Sequence, residues 1–223
     1  MYDFAFAVLF FGIYALCGWL WEFLFNLVMY RRVRLHGFLT LPLLPIYGFS
    51  ALAIVALVYP HIENPFLVFV TTAALVTSVE YLTSLALETL FRIRLWDYTE
   101  WPLDLYGRVS FFSSLGFGVL GLFLLYIAQP FFSAAIANVP WLIVVVTGWA
   151  LCFLVLIDFG NQVSALVRLR RADGSLDDIM LRLEQSIDGF TTQGRRARAW
   201  FDRWYRFNLR HLRRAFPRAK RLK

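Results

Sequence analysis

Apolar residues run in long blocks along this chain, and polar residues collect between the blocks and after the last of them. Residues 109–157, forty-nine in a row, contain no Asp, Glu, Lys, Arg or His. One bilayer crossing takes about 20 apolar residues, so this block alone suffices for two. The whole pattern predicts five helical spans. The first covers Phe4 to Met29 and is broken only by Glu22. The second lies between Phe38 and Tyr59, uncharged, with Pro42 and Pro45 in its first half. A third runs from Pro65 to Phe91 and carries Glu80 and Glu88. The fourth starts after Arg108 and runs to Ala128, and the fifth from Pro140 to Ile157. A strand barrel does not fit, because the blocks lack the two-residue alternation of barrel strands.

Composition agrees. The apolar set makes up 60% of the chain and charged residues 17%, with mean hydropathy +0.61. A soluble domain carries about 25% charged residues, so a water-soluble globule is excluded. Cys17 and Cys152 both sit in apolar runs, without the spacing of a metal or redox pair. The start, MYDFAFAVLFFG, has no Lys or Arg and no small-residue cleavage signal, so it reads as a retained first span.

Basic residues set the orientation. Arg31, Arg32 and Arg34 follow the first span, and Arg92, Arg94 and Arg108 lie between the third and fourth. Sixteen of the twenty-two basic residues fall after residue 161, while the 2–3 and 4–5 connections have none. Basic segments stay cytoplasmic. Five crossings with the N-terminus outside and the C-terminus inside satisfy this everywhere, and the expected location is the inner (plasma) membrane.

The chain therefore divides into a five-span domain, residues 1–161, and a basic tail, residues 162–223. Ser175 to Asp178 matches a helix-start capping box, and Leu176, Ile179, Met180, Leu183, Ile187 and Phe190 follow at helical spacing. Residues 195–223 then hold twelve basic residues against one acidic, interleaved with Trp200, Phe201, Trp204, Tyr205, Phe207 and Phe216. Such an amphipathic helix lies on anionic headgroups. Nucleic acid would use the same charges, but the tail is already tethered at a membrane.

Acidic residues inside the spans carry the functional signal. A charge at the centre of a span costs about 2.5–3.5 kcal/mol on the insertion scale, so it needs a partner or a use. Glu22 lies about 13 Å inside Arg31, and Glu80 about 16 Å inside Phe91. On the third span Thr77, Glu80, Ser84 and Glu88 recur at three- and four-residue intervals, which places them on one face, with Tyr81 at its border. That face must meet the bundle interior or a wet cavity. Arg108 sits at the level of Glu88, as an expected partner, and Asp158 closes the fifth span. In the second span the stretch HGFLTLPLLPIYGFS brings Pro42, Pro45 and two glycines close to Tyr47, predicting a kinked or unwound helix. Freed backbone of this kind binds ions or substrates in transporters, or it is a packing element. The linker from Phe91 to Arg108 mixes Trp96, Tyr98, Trp101 and Tyr106 with Asp97, Glu100 and Asp104, and reads as a lid over the cytoplasmic mouth or as a plain aromatic belt.

The segments GWLWE (18–22), GFLTLPLLPIYG (37–48), EYLTSLALETLF (80–91), LWDY (95–98) and LYGRVSF (105–111) occur in an order that resembles one family. It is the family of small bacterial membrane proteins named as type IV ABC-transporter components, the CmpB-like group, and the resemblance covers residues 12–125. It implies a permease role. The chain has no GxxxxGK[ST] loop, so ATP hydrolysis would belong to a separate subunit. Five spans are few for a pore, which points to a homo-oligomer or a partner subunit.

Three readings follow. The first is a transporter or permease component whose ion or substrate site draws on Glu22, Tyr47, Glu80, Ser84, Glu88, Asp97 and Arg108. The second is a scaffold or regulator that recruits partners through the basic tail. The third is an intramembrane lipid-modifying enzyme, with a carboxylate base and Arg108 or His36 on a phosphate. No Ser-His, Cys-His or HExxH pattern supports catalysis, so a non-enzyme is preferred and no cofactor or metal is expected.

Overall fold

The structure is a computed structural model that describes residues 2–30, 37–171 and 220–221. Arg31, Arg32, Arg34 and His36, and the tail helices expected from Ser175 onward, lie outside the described residues.

Among the described residues five helical segments build the fold: α1 (Tyr2–Tyr30), α2 (Pro45–Leu57), α3 (Pro65–Phe91), α4 (Phe111–Ala137) and α5 (Trp141–Arg171). All except α2 contain a stretch long and apolar enough to cross a membrane. The second predicted span has a different form. Residues 37–44 are not helical, and the 13-residue α2 begins only at Pro45. Proline lacks an N–H and pushes the preceding residue out of helical geometry, and Leu44 is accordingly extended, with φ −105° and ψ 99°. Backbone freed in this way needs partners when buried. Leu41 N–H donates to Asp158 Oδ2 at 2.9 Å, and Leu44 N–H donates to Ala15 O at 3.0 Å. The Thr40 hydroxyl donates to Asp158 Oδ1.

Asp158 therefore does not close its helix. It is buried inside α5, which continues to Arg171, and its carboxylate is what holds the broken segment. The fourth helix also outruns its expected end at Ala128. Pro130 cannot donate to the preceding turn, and residues Leu124–Ala128 widen into one π turn, with Gln129 N–H on Leu124 O, so the helix continues to Ala137.

Local signals start the other helices. Asn64 caps α3 by accepting from Phe66 N–H at 2.9 Å and Leu67 N–H at 3.3 Å, ahead of Pro65 in the first turn. Ser110 and Ser113 form a reciprocal cap at the start of α4.

The helix α1 packs on α2 and α5, α2 also touches α3, and α3 packs closely along α4. Small residues permit the close approaches. A Cβ on Gly121 would meet Thr72 Oγ1 at 2.3 Å, and one on Gly148 would meet the Ala5 carbonyl oxygen at 2.5 Å. Between the helices, Phe10, Tyr14, Ile54, Val68, Val76, Leu124 and Val144 form the main core. The Tyr14 hydroxyl donates to Gln129 Oε1 within it. The outer faces stay apolar and exposed, as with Trp141, Val146, Trp149, Phe153 and Leu156 along α5. Surface of that extent suits lipid rather than water.

Residues 92–110 form a folded connection between α3 and α4, which we term the lid. Its hairpin pairs β2 (Asp104–Leu105) with β3 (Val109–Ser110). A two-residue strand β1 (Ile93–Arg94) at its start pairs antiparallel with β4 (Lys220–Arg221).

Candidate functional site

Buried positions on α3 recur every four residues: Val68, Thr72, Val76, Glu80, Ser84 and Glu88. Four residues overshoot one helical turn by about 40°, so this row winds around the helix. From Glu80 to Glu88 the row moves about 12 Å along the axis and about 80° around it. The two carboxylates consequently enter different surroundings. Thr77, expected on the same stripe, instead donates to Ser114 Oγ of α4 at 2.7 Å.

The first surrounding is a polar cluster between α1, α2, α3 and the lid, which we term the chamber. Glu80 is 6% exposed, and its Oε1 accepts from the Tyr98 hydroxyl at 3.0 Å. Its Oε2 is buried with no hydrogen-bond partner. The Glu22 carboxylate of α1 accepts from the Tyr47 hydroxyl at 3.2 Å, and Tyr47 belongs to the first turn of α2. Gly18 lets Tyr47 lie directly on α1, since a Cβ there would meet the Tyr47 Cγ at 2.3 Å. The Glu22 and Glu80 charges act on each other, and both act on Tyr47 and Tyr98. The break at residues 37–44 is what starts α2 at the depth where Tyr47 reaches Glu22.

The second surrounding is a collar at the base of the lid. Glu88 Oε1 accepts from Arg94 Nε at 2.6 Å, while its Oε2 accepts from Arg108 Nη2 at 2.6 Å and Nε at 3.1 Å. Arg108 also donates to the Tyr81 hydroxyl at 3.0 Å, and its guanidinium lies over the Tyr81 and Tyr106 rings. Asp97 stands 3.7 Å from Arg94. The hydrogen bonds that Arg108 donates to Glu88, together with the Glu88 negative charge, hold its guanidinium above its ordinary value. Two arginines meet two carboxylates here, so the collar is an ion-pair cluster that fastens both ends of the lid to α3.

The lid's own fold places its aromatic side chain in the chamber. Tyr106 and Gly107 both take left-handed backbone, φ 56° and 69°, and Arg108 N–H bonds Leu105 O at 3.1 Å, closing a tight hairpin turn. Gly107 is required twice over: a Cβ would strain that φ and meet Arg94 Nη1 and Asp97 Oδ1 at 2.9 Å. Tyr98 N–H bonds Gly107 O at 2.9 Å, and Trp96 Nε1 bonds Arg108 O at 3.0 Å. The lid thus folds back, and the Tyr98 ring points to Glu80. Burial, and then the Glu80 carboxylate, push the Tyr98 phenol well above its ordinary range.

Of the residues singled out in the sequence, Glu22, Tyr47 and Glu80 meet in the chamber. Glu88, Arg108 and Asp97 meet in the collar, and Ser84 lies between them, buried on the α3 row. Two residues stood outside that set. Tyr98 reads from the sequence as one of several aromatics of a lid or interfacial belt, and Arg94 as one more cytoplasmic cation. Among the described residues no group of three or more His, Cys, Asp or Glu could hold a metal ion.

Comparison with known proteins gives one match. No curated protein and no solved structure matches the chain. The family model described as "Putative ABC-transporter type IV" matches residues 9–163, which span α1 to α5 and contain both the chamber and the collar. This multi-pass membrane protein belongs to that ABC-transporter family.

Proposed function

We propose that the chain is a membrane-embedded transport component whose binding site is the Glu22–Glu80 chamber, opening to the cytoplasmic side beneath the lid. The single observation that carries this reading is Glu80: a buried carboxylate with one oxygen on a lid tyrosine and the other without a donor. A group so costly to bury is retained where it serves a pathway. The chain passes the membrane five times, with residues 37–57 as an extended stretch followed by a short helix. The N-terminus is outside and the basic segments are inside, in the inner membrane. Broken second segments with a helix start at mid-depth are a transporter feature. In this reading Ser84, beside Glu80 on the same row, lines the route between chamber and collar. Glu88, Arg94, Arg108 and Asp97 hold the lid. The tail lies on anionic headgroups. ATP hydrolysis, where it drives the system, comes from a separate subunit, and further copies of this chain complete the pathway.

The test is flux through proteoliposomes of the purified full chain, read with pH- and potential-sensitive dyes. Wild type should conduct protons or small cations above protein-free vesicles, and Glu80→Gln should abolish this with insertion unchanged. Equal signals from wild type, Glu80→Gln and empty vesicles refute the reading.

A further inference from the structure

The chamber's hydrogen bonds identify what it takes, given the reading that the chamber is the functional site. An ionised carboxylate places charge on both oxygens, and each seeks a donor when buried. Glu80 has a donor on Oε1 only. A neutral carboxyl, in contrast, needs a donor on its carbonyl oxygen alone, and an unmet hydroxyl costs far less than an unmet charge. Glu22 adds a second reason, because two neighbouring carboxylates cannot both ionise cheaply in a dry site. The two phenols also fit. Tyr47 donates to Glu22 and Tyr98 to Glu80, so the donor that Glu80 does have is a neutral phenol. The Arg94 and Arg108 guanidinium groups, in contrast, bond Glu88 in the collar. The groups presented to Glu80 are Glu22 from α1, Tyr47 from α2 and Tyr98 from the lid, with Ser113 of α4 behind Tyr98. Two carboxylates with two phenols make a poor set for a divalent ion, whose six or more hard ligands they do not approach.

We propose that the Glu22–Glu80 chamber binds one exchangeable proton, carried on Glu80 Oε2 in this closed form, with Tyr98 as the positioning residue that covers it. Release breaks the Glu80 O–H bond as an O–H bond forms on water, leaving two carboxylates; uptake is the reverse. Lid movement that withdraws Tyr98 admits the water.

Infrared difference spectra of the purified full chain in lipid, in light and heavy water at neutral pH, test this without any transport assay. A protonated-carboxyl C=O band is expected, shifted in heavy water and lost in Glu80→Gln. Tyr98→Phe should move the band to higher frequency, since its carbonyl loses a donor, and should speed its exchange with heavy water. A purely structural Tyr98 would leave the band in place. Because Tyr98→Phe should keep a shifted band, it also shows that the chamber still folds. Absence of the band in wild type, its persistence in Glu80→Gln, or a stoichiometric bound metal lost in Glu80→Gln overturns the proposal. A band without flux refutes the transport reading and leaves the proton site standing. Flux without a band does the opposite.

Discussion

Changing Glu88 to Gln separates the collar's role from the chamber's. The carboxylate is 6% exposed and accepts three hydrogen bonds from two guanidinium groups that are each 16% exposed. Glutamine keeps one acceptor oxygen but turns an NH2 group toward one arginine, so it loses charge and geometry together. Hydrogen bonds to charged groups contribute about 1.5–3 kcal/mol each, and removing one member of a buried pair costs about 3–5 kcal/mol. Both arginines reach some solvent and recover part of that, which places the expected loss near the lower bound, at about 3 kcal/mol. An exposed ion pair would lose no more than about 1 kcal/mol. Reversible unfolding of the purified chain in mixed detergent micelles measures the difference. In an Arg108→Gln background the cost of Glu88→Gln should shrink by about 1 kcal/mol or more, because one of the two contacts is already gone. Glu80→Gln, by contrast, replaces an acceptor of one neutral hydrogen bond and should cost well under half as much. A Glu88→Gln loss within about 1 kcal/mol of wild type, or strict additivity with Arg108→Gln, refutes the clamp.

Other positions give further tests. Asp158→Asn should destabilise by about 1–3 kcal/mol and raise hydrogen exchange at Leu41, whose N–H would face an amide in place of a carboxylate. Gly121→Ala puts a Cβ 2.3 Å from Thr72 Oγ1 and 2.5 Å from Thr72 Cβ, so α3 and α4 must part; a cost of about 1–3 kcal/mol is expected, and Thr72→Ala, which keeps the Cβ, should not remove it. The Tyr98 phenol also predicts a pH effect. Its folded value lies above the unfolded value of 10.0, so its contribution is complete below pH 10 and falls as pH rises past it, when only the unfolded chain ionises. Stability measured above pH 10 should therefore fall less steeply for Tyr98→Phe than for wild type.

The four long helices were legible because length and apolarity suffice to set them. The break in the second segment was legible for a similar reason, since Pro42 and Pro45 act locally. What failed was the assumption that a charge ends a span. Asp158 looked like the boundary of the last helix, yet it is buried partway along α5 with both oxygens engaged. The buried acidic row of α3 is legible from its spacing, but the destination of its two ends is not. Shared spacing placed Glu80, Ser84 and Glu88 on one stripe, but the winding of a four-residue row sends its ends to different neighbours. Tyr98 could not be found from spacing at all. Its position depends on a hairpin that folds the lid back, and the nearest clue was Tyr106-Gly107, a turn signal several residues further on.

Those two non-helical stretches, residues 37–44 and 92–110, do related work. Each delivers a phenol from one element to a carboxylate on another, Tyr47 to Glu22 and Tyr98 to Glu80. Each is also fastened by a separate acid outside the chamber, Asp158 for the first and Glu88 for the second. Continuous helices could not shift one phenol without shifting the whole bundle, because packed interiors resist small deformations. Short latched segments can move alone, at the cost of a few hydrogen bonds. Under the proposed function, the latches would set how readily the chamber opens and its carboxylates would set what it holds. On that division, loosening Asp158 or Glu88 should speed proton exchange at Glu80 while its carboxyl remains protonated at neutral pH. Replacing Glu22 should change how tightly the proton is held and leave the lid's protection against proteolysis as it was.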